Sequence, residues 1–170
     1  SDLKDNTEIF IAEMDAYHPG EIDELAKLVL PQIAVITAIG AQHLGRFGSM
    51  ASLAKAQFEI ADNLPRGGTL FLNSEDEWSM KTAPSLGSGV SIKYYGYGVN
   101  NHLYATDIKQ TVAGLEFIIH NSKFTIPIIL PLFGEHHVQN FLAAASIAHE
   151  LGLSPQEIEQ RATRILPTPH

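Results

Sequence analysis

The feature of the sequence that most constrains the fold is a pair of short apolar runs between residues 8 and 55. They cover residues 9–14 and 33–37, and polar residues and glycines follow each of them. Both runs are too uniformly apolar for strands with one face in water, so they predict central strands of a parallel sheet that is covered on both faces. A helix-like segment connects them and completes a strand–helix–strand unit. Ligands of such sheets bind beyond the carboxyl ends of the strands, where Glu13 and His43 fall.

The composition predicts an ordinary domain and argues against several classes of partner. The chain has 170 residues, 45% of them hydrophobic, and no cysteine, so it can bury a core but cannot form disulfide bonds. Its net charge of −8 and its scattered basic residues argue against a surface that tracks phosphates, so we expect no nucleic-acid partner. The apolar runs fall far short of the roughly 20 residues that span a bilayer. We therefore expect no membrane partner and a cytoplasmic protein.

The spacing of apolar residues and the turn residues predict the other elements. Helices are expected at residues 21–30, 50–63, 136–151 and from 155 onward. Further strands are expected at residues 69–72, 90–95, 103–111, 115–120 and 124–130. Short turns without helical crossovers join the last three strands, which predicts that they pair antiparallel.

Together these elements predict an α/β fold with a mostly parallel sheet flanked by helices and a small antiparallel β subdomain. We expect one domain over residues 1–170. Residues 1–98 would form the α/β core, 102–130 the β subdomain, and 134–166 helices that return to the core. Neither end of the sequence carries the pattern of a closing element, so we expect a piece of a longer protein.

Two residues at predicted strand ends could carry chemistry. Glu13 ends an apolar run, a position where nucleotide-dependent enzymes keep a carboxylate for Mg²⁺. His43 lies on a glycine-flanked loop after the next run, where it could reach a metal or a phosphate. The residues alone leave open that Glu13 is a solvated acid and that His43 is merely exposed. The chain contains no G-x-x-x-x-G-K-[ST] segment, so these residues include no phosphate-binding loop.

Four segments of the chain, taken in order, resemble the central ATP-binding domain of the Mur ligases, a P-loop NTPase-like domain. They read E-M-D-A-Y-H-P-G-E-I, I-T-A-I-G-A-Q-H-L-G-R-F-G-S, F-L-N-S-E-D and G-E-H-H-V-Q-N-F-L-A-A-A. The resemblance extends over nearly the whole chain. The P-G-E-I and Q-H-L-x-x-F-G-S segments are most similar to the branch that joins D-alanyl-D-alanine to a UDP-N-acetylmuramoyl tripeptide.

The resemblance implies an ATP-dependent amide ligase of peptidoglycan synthesis. In that family, ATP phosphorylates the carboxylate of a UDP-linked muramoyl peptide, and the incoming amine attacks the acyl phosphate. The implied substrates are therefore ATP, the UDP-linked muramoyl peptide and D-alanyl-D-alanine, with Mg²⁺ as the metal cofactor. Glu13 matches the magnesium glutamate of the family and His43 its second magnesium ligand, and both are implied catalytic residues.

The resemblance also implies residues that bind the nucleotide. Asn140, with His136 beside it, matches the G-x-H-x-x-x-N segment that holds the adenine in the family. Asn73 and Asp76 match an N-x-x-D segment after the third predicted strand. We count these two residues as cofactor-binding and assign them no specific role.

Three departures from the family pattern matter. The phosphate loop, the UDP-substrate domain and the closing domain are all missing from this stretch of chain. Many members carry a carbamate-modified lysine at the position of Gln57, and glutamine can form no carbamate. Lys55 lies two residues earlier, about 200° around a helix, and should not reach the same point. His137 stands where asparagine is frequent.

These departures leave three hypotheses. The chain is part of a working ligase, or a catalytically silent Mur-like protein that binds or scaffolds, or part of a sister amide ligase similar to folylpolyglutamate synthase. Under each of them, we expect the isolated chain to be inactive and to bind Mg²⁺·ATP weakly or not at all. The reason is that the backbone N–H groups and the lysine of a phosphate loop supply most phosphate contacts.

Overall fold

A computed structural model describes residues 4–41, 44–87 and 89–166. Its strands are β1 (Ile33–Ile36), β2 (Thr69–Asn73), β3 (Ser91–Gly96), β4 (Leu103–Thr111), β5 (Gly114–His120) and β6 (Thr125–Leu130). They form one six-stranded sheet in the order of the chain. The first four strands pair parallel, and β5 pairs antiparallel with both β4 and β6. The predicted α/β class and the antiparallel pairing of the last three strands are confirmed.

Seven α-helices accompany the sheet in the described residues. They are α1 (Glu21–Val29), α2 (Leu44–Phe47), α3 (Met50–Gln57), α4 (Glu59–Asp62), α5 (Glu77–Thr82), α6 (His136–Glu150) and α7 (Pro155–Ala162). The helix predicted over 50–63 is divided at Phe58 into α3 and α4. Neither α2 nor α5 was predicted, because a helix of fewer than two turns has too few apolar positions to show a period. Within the described ranges, no helix is long and apolar enough to cross a membrane.

Strand β2 shows how the two hydrophobic clusters are arranged. All five of its residues are buried. Leu70 and Leu72 belong to a cluster with α1, α3 and α4, whereas Phe71 belongs to a cluster with the antiparallel strands, α6 and α7. Since successive side chains of a strand point to opposite faces, the two clusters lie on opposite sides of the sheet. This part of the sheet is covered on both faces, as the sequence predicted.

The prediction of a strand over residues 9–14 is wrong. This segment is irregular, and the side chains of Ile9, Phe10 and Ile11 are 53%, 59% and 87% exposed. A cleft of about 800 Å³ lies between residues 8–16 and β1. The run therefore pairs with none of the strands in the described ranges, and an unpaired apolar segment has no ladder to order it. For the same reason β1 is an edge strand and not the central strand that its composition indicated.

The carboxyl end of α6 is tied to the sheet by one carboxylate. Glu150 accepts hydrogen bonds from Lys93 Nζ on β3 at 2.5 Å and from Thr69 Oγ1 on β2 at 3.2 Å. The hydrogen bond from Lys93 holds the pKa of Glu150 below its ordinary value of 4.5, against a smaller opposing effect of burial. A carboxylate with a lowered folded-state pKa stabilises the fold above the unfolded pKa, and this contribution is lost as the pH falls through the folded value.

We therefore expect Glu150→Gln to lower the free energy of unfolding by about 1 kcal/mol near neutral pH and by less under acid conditions. Urea unfolding, followed by fluorescence of the single tryptophan, Trp78, would be measured from neutral pH down to below 4.5. The exposed Glu116→Gln on β5 serves as the matched control. A difference between wild type and Glu150→Gln that stays constant or widens on acidification would contradict this account.

Candidate functional site

The carboxyl ends of β1, β2 and β3 lie at one edge of the sheet, and the amino end of α6 reaches the same edge. Asn73, the last residue of β2, marks the junction and is only 2% exposed. Its Nδ2 donates to the backbone oxygen of Thr37 at 3.1 Å and to Oε1 of Gln139 at 3.1 Å. Its Oδ1 accepts from the backbone N–H of Glu75 at 2.9 Å. Asn73 thus connects the end of β1, the turn after β2 and the first turn of α6.

Asp76 stabilises the same edge of the sheet, at the far end of the turn that follows β2. Its Oδ2 accepts from the backbone N–H of Ser79 at 2.7 Å, which caps the amino end of α5. Its Oδ1 accepts from the backbone N–H of Ile39 at 3.1 Å, in the loop that leaves β1. Both carboxylate oxygens of Asp76 therefore accept hydrogen bonds from backbone N–H groups. Asn73 and Asp76, the two named residues of the predicted N-x-x-D segment, thus both stabilise the backbone at this edge of the sheet.

His136 and Asn140 are both exposed, at the start of α6. Four residues separate them, so they share one face of the helix. The His136 ring packs so closely on Gly134 that a Cβ there would lie 2.7 Å from its Cε1, and Gly134 has a φ of +105°. The ring of His137 lies 4.1 Å from that of His136. Burial lowers the pKa of His137 from its ordinary value of 6.5, and the neighbouring His136 lowers it further.

The end of β3 completes this edge. A Cβ at Gly96 would lie 2.1 Å from Ser74 Oγ, so any larger residue there would displace the Ser74 side chain from its present position. The backbone N–H of Tyr97 donates to Glu75 Oε1 at 3.0 Å. Burial raises the pKa of the Tyr97 phenol, a hydrogen bond with Gln139 opposes this rise, and the charges of Glu135 and Glu75 add to it.

Tyr97 and Gln139 are site residues that sequence reasoning missed. One signal could have found Gln139, because it lies three residues after His136 and one before Asn140 and thus on their side of α6. The sequence gives no sign that Tyr97 approaches it, since the contact joins the end of a strand to a helix that begins 39 residues later (97 to 136).

Glu13 lies on the cleft beside β1, whose lining also includes Thr37 and Ile39, the partners of Asn73 and Asp76. It is exposed and lines the cleft together with β1 and Gln57. Lys55 is exposed and does not line that cleft, which agrees with its predicted position around the helix. His43, the other predicted metal ligand, lies outside the described residues. Whether Glu13 and His43 approach each other therefore stays a prediction.

The side chains at the cleft can be compared with the ligands that Mg²⁺ requires. Among the residues that the structure describes, no three histidine, cysteine or acidic side chains come together as a metal site. Mg²⁺ in nucleotide enzymes usually needs only one or two carboxylates, because phosphate oxygens and water complete its shell. The exposed carboxylate of Glu13 fits that requirement.

The turn that follows the Glu13 segment is held by two other carboxylates. Glu59 of α4 accepts from the backbone N–H groups of Gly20 at 2.8 Å and Asp23 at 3.2 Å, at the amino end of α1. Glu21 accepts from the backbone N–H groups of Tyr17 and His18, and these bonds lower its pKa. Neither contact was predicted, and together they connect the segment before α1 to α4.

Comparison with known proteins is consistent with this geometry. The family model of the Mur ligase middle domain matches residues 1–148. The UDP-N-acetylmuramoyl-tripeptide–D-alanyl-D-alanine ligase of Bacillus subtilis is 34% identical over 155 residues, which cover 91% of this chain and 32% of that protein. The ligase of the same name from Escherichia coli is 32% identical over 149 residues, covering 88% of this chain and 33% of that protein.

Solved structures show the same fold. Crystal structure I of MurF from Acinetobacter baumannii superimposes with a TM-score of 0.81 and 29% identity, over 90% of this chain and 33% of that one. The MurF ligase of Thermotoga maritima, solved in complex with ADP, gives a TM-score of 0.76 at 17% identity, over 89% of this chain and 34% of that one. The chain thus spans about a third of the length of the relatives it matches. On this evidence, the chain belongs to the Mur ligase middle domain family.

Proposed function

We propose that these residues form the middle domain of an ATP-dependent ligase that joins D-alanyl-D-alanine to a UDP-N-acetylmuramoyl tripeptide through an acyl phosphate. The observation that carries the proposal is the 34% identity, over 91% of this chain, to a Bacillus subtilis protein that bears the name of that ligase. The sheet edge supports it, because exposed polar side chains on α6 lie where parallel α/β sheets bind nucleotides.

We propose two groups of residues for the two ends of ATP. On the cleft side, Glu13 would hold Mg²⁺, and His43 is proposed as its second protein ligand. When bound, the ion would offset the negative charge of the phosphates during phosphoryl transfer. On the α6 side, His136 and Asn140 would contact the adenine. Their exposure and shared helix face suit contact with a flat base.

A second function, as a silent binding or scaffold domain, is favoured by one observation. Gln57 lines the same cleft as Glu13, at the position where the family's modified lysine would bring a second negative charge. An amide supplies no charge to a metal ion. If this site cannot retain Mg²⁺ without that charge, the protein would bind ATP without turning it over.

A ligation assay on the complete protein separates the two functions. Release of phosphate from ATP would be measured with UDP-N-acetylmuramoyl tripeptide and D-alanyl-D-alanine, and with each of them omitted. The proposal expects release only when both are present. Replacing the dipeptide with single amino acids tests the branch, and nucleotide binding without turnover would favour the silent domain.

For the isolated 170 residues, we expect no binding of Mg²⁺·ATP in the micromolar range. The physical reason is that these residues contain no glycine-rich loop with a lysine to surround the phosphates. Isothermal titration calorimetry of the purified chain tests this expectation. Micromolar affinity would show that the described residues hold the nucleotide by themselves.

A further inference from the structure

We propose that Asn73 and Gln139 are positioning residues, which set the start of α6 against the sheet edge so that His136 and Asn140 are aligned for the adenine. The inference rests on the proposed function, because it deepens the assignment of the α6 side to the nucleotide base. It gives Asn73, the first residue of the N-x-x-D segment, the specific role that the family resemblance left unassigned.

The first support is that both donor hydrogens of Asn73 and its Oδ1 are bonded to protein groups. Its Nδ2 donates to Thr37 O and to Gln139 Oε1, both at 3.1 Å, and its Oδ1 accepts from the N–H of Glu75 at 2.9 Å. The side chain is nearly fully buried. A buried amide whose donors and acceptor are satisfied by protein stabilises one arrangement of the groups it joins. Asn73 therefore acts on the nucleotide through its partners.

The second support is the position of Gln139 on α6. It lies three residues after His136 and directly before Asn140, within the first two turns of the helix. It is partly buried, whereas His136 and Asn140 are exposed. The contact with Asn73, together with the packing of the buried Val138 and Phe141, thus sets the rotation of the start of α6 about its axis and its height above the edge. The rotation and the height of α6 decide where the exposed side chains of its first turns point.

The third support is that few side-chain hydrogen bonds hold this helix end in the described part of the chain. Besides the bond from Asn73 to Gln139, the backbone N–H of Gly134 donates to Gln110 Oε1 at 3.3 Å. Glu135 is the N-cap residue of α6, and within the ranges that the structure describes no side-chain hydrogen bond caps this end of the helix. The Gln139 side chain accepts from Asn73 Nδ2 at 3.1 Å and also interacts with the Tyr97 phenol. Removing the amide of Gln139 would leave this end of α6 held to the sheet edge mainly by the apolar packing of Val138 and Phe141.

The test compares Gln139→Leu and Gln139→Glu in the complete protein, with Gln160→Leu on α7 as the matched control. Leucine removes the acceptor for Asn73, whereas glutamate retains it. Because loss of the bond leaves a buried donor of Asn73 unpaired, we expect Gln139→Leu to weaken ADP binding about tenfold in calorimetry. The KM for ATP should rise by a similar factor, with kcat at saturating ATP within about twofold of wild type. Glutamate should restore most of the affinity, and Gln160→Leu should match wild type.

The possible outcomes distinguish a failure of the positioning role from a failure of the proposed ligase function. If wild type binds ADP and ligates but Gln139→Leu keeps wild-type ADP affinity, the positioning role is overturned and the ligase stands. A fall in kcat with unchanged KM would also overturn it, because the bond would then act on the chemistry and not on the base. Wild type that neither binds ADP nor ligates would overturn both proposals.

Discussion

Glu13→Ala in the complete ligase is expected to lower kcat by about 1,000-fold or more, which corresponds to about 4 kcal/mol of lost transition-state stabilisation. Glu13 is the one acidic residue that we assign to Mg²⁺, and its carboxylate is exposed on the cleft beside β1. Without it, the phosphates would lose the ion that offsets their charge while ATP transfers its phosphoryl group. Steady-state phosphate release at saturating substrates, over a range of Mg²⁺ concentrations, measures the effect.

Lys55→Ala is the matched control for this prediction. Lys55 is exposed on α3, two residues before Gln57, and does not line the cleft. We expect it to retain most of the activity. A loss in Lys55→Ala comparable to that in Glu13→Ala would show that this lysine takes part in the chemistry and that the assigned helix register is wrong. A Glu13→Ala enzyme with near-normal kcat would remove Glu13 from the metal site.

Gly114→Ala is expected to lower the free energy of unfolding by about 4 kcal/mol, from backbone strain and a steric clash together. Gly114 begins β5 with a φ of +126°, a conformation that residues with a Cβ rarely adopt. A Cβ there would lie 2.2 Å from the carbonyl oxygen of Leu130 and 2.9 Å from Cα of Pro131. Both neighbours are backbone and cannot rotate away, so the hairpin from β4 to β5 would have to shift relative to β6.

Comparison with Gly152→Ala separates the cost of backbone strain from the cost of the steric clash. Gly152 also has a positive φ, +96°, but among the described residues no atom beyond its two chain neighbours lies within 4 Å of the position that a Cβ would take. We therefore expect only the strain cost of about 1–2 kcal/mol. Urea unfolding of both variants, followed by Trp78 fluorescence, measures the difference. Equal losses in the two variants would show that the contact with Leu130 is relieved without cost.

Helices with strong local signals were predicted well. Helix α7 begins at Pro155, as predicted, and Ser154 and Glu157 form a capping box at its start. The apolar residues of α1 have helical spacing, and the helix ends at Val29, just before Pro31. These features depend on residues within one or two turns of each other, so a single sequence contains the information.

The run over residues 9–14 shows where the same reasoning failed. Its composition is that of a buried strand, yet Ile11 is 87% exposed and the segment has no strand partner in the described residues. A strand forms by pairing, and composition reports only that a segment would tolerate burial on both faces. The cleft beside β1 leaves the backbone of that run without the ladder that would make it a strand.

The residues of the candidate site likewise fall into those that sequence reasoning selected and those that it missed. Sequence reasoning selected Glu13 and His43 from the apolar runs before them and from the family resemblance, and Asn73, Asp76, His136 and Asn140 from the resemblance. It did not find Gln139 or Tyr97, and it did not show that the side chain of Asn73 makes its hydrogen bonds to protein groups.

The sequence by itself therefore determined the class of fold, most helix and strand positions and the family. Only the tertiary structure decided which strand lies at the sheet edge, which apolar run stays exposed and which polar groups hold one another. The two bonds that Asn73 donates cross 36 and 66 residues of chain. Helical periods and caps arise from neighbours in sequence, whereas strand pairing and buried hydrogen bonds require distant segments to meet. Their outcome depends on every element that packs between those segments.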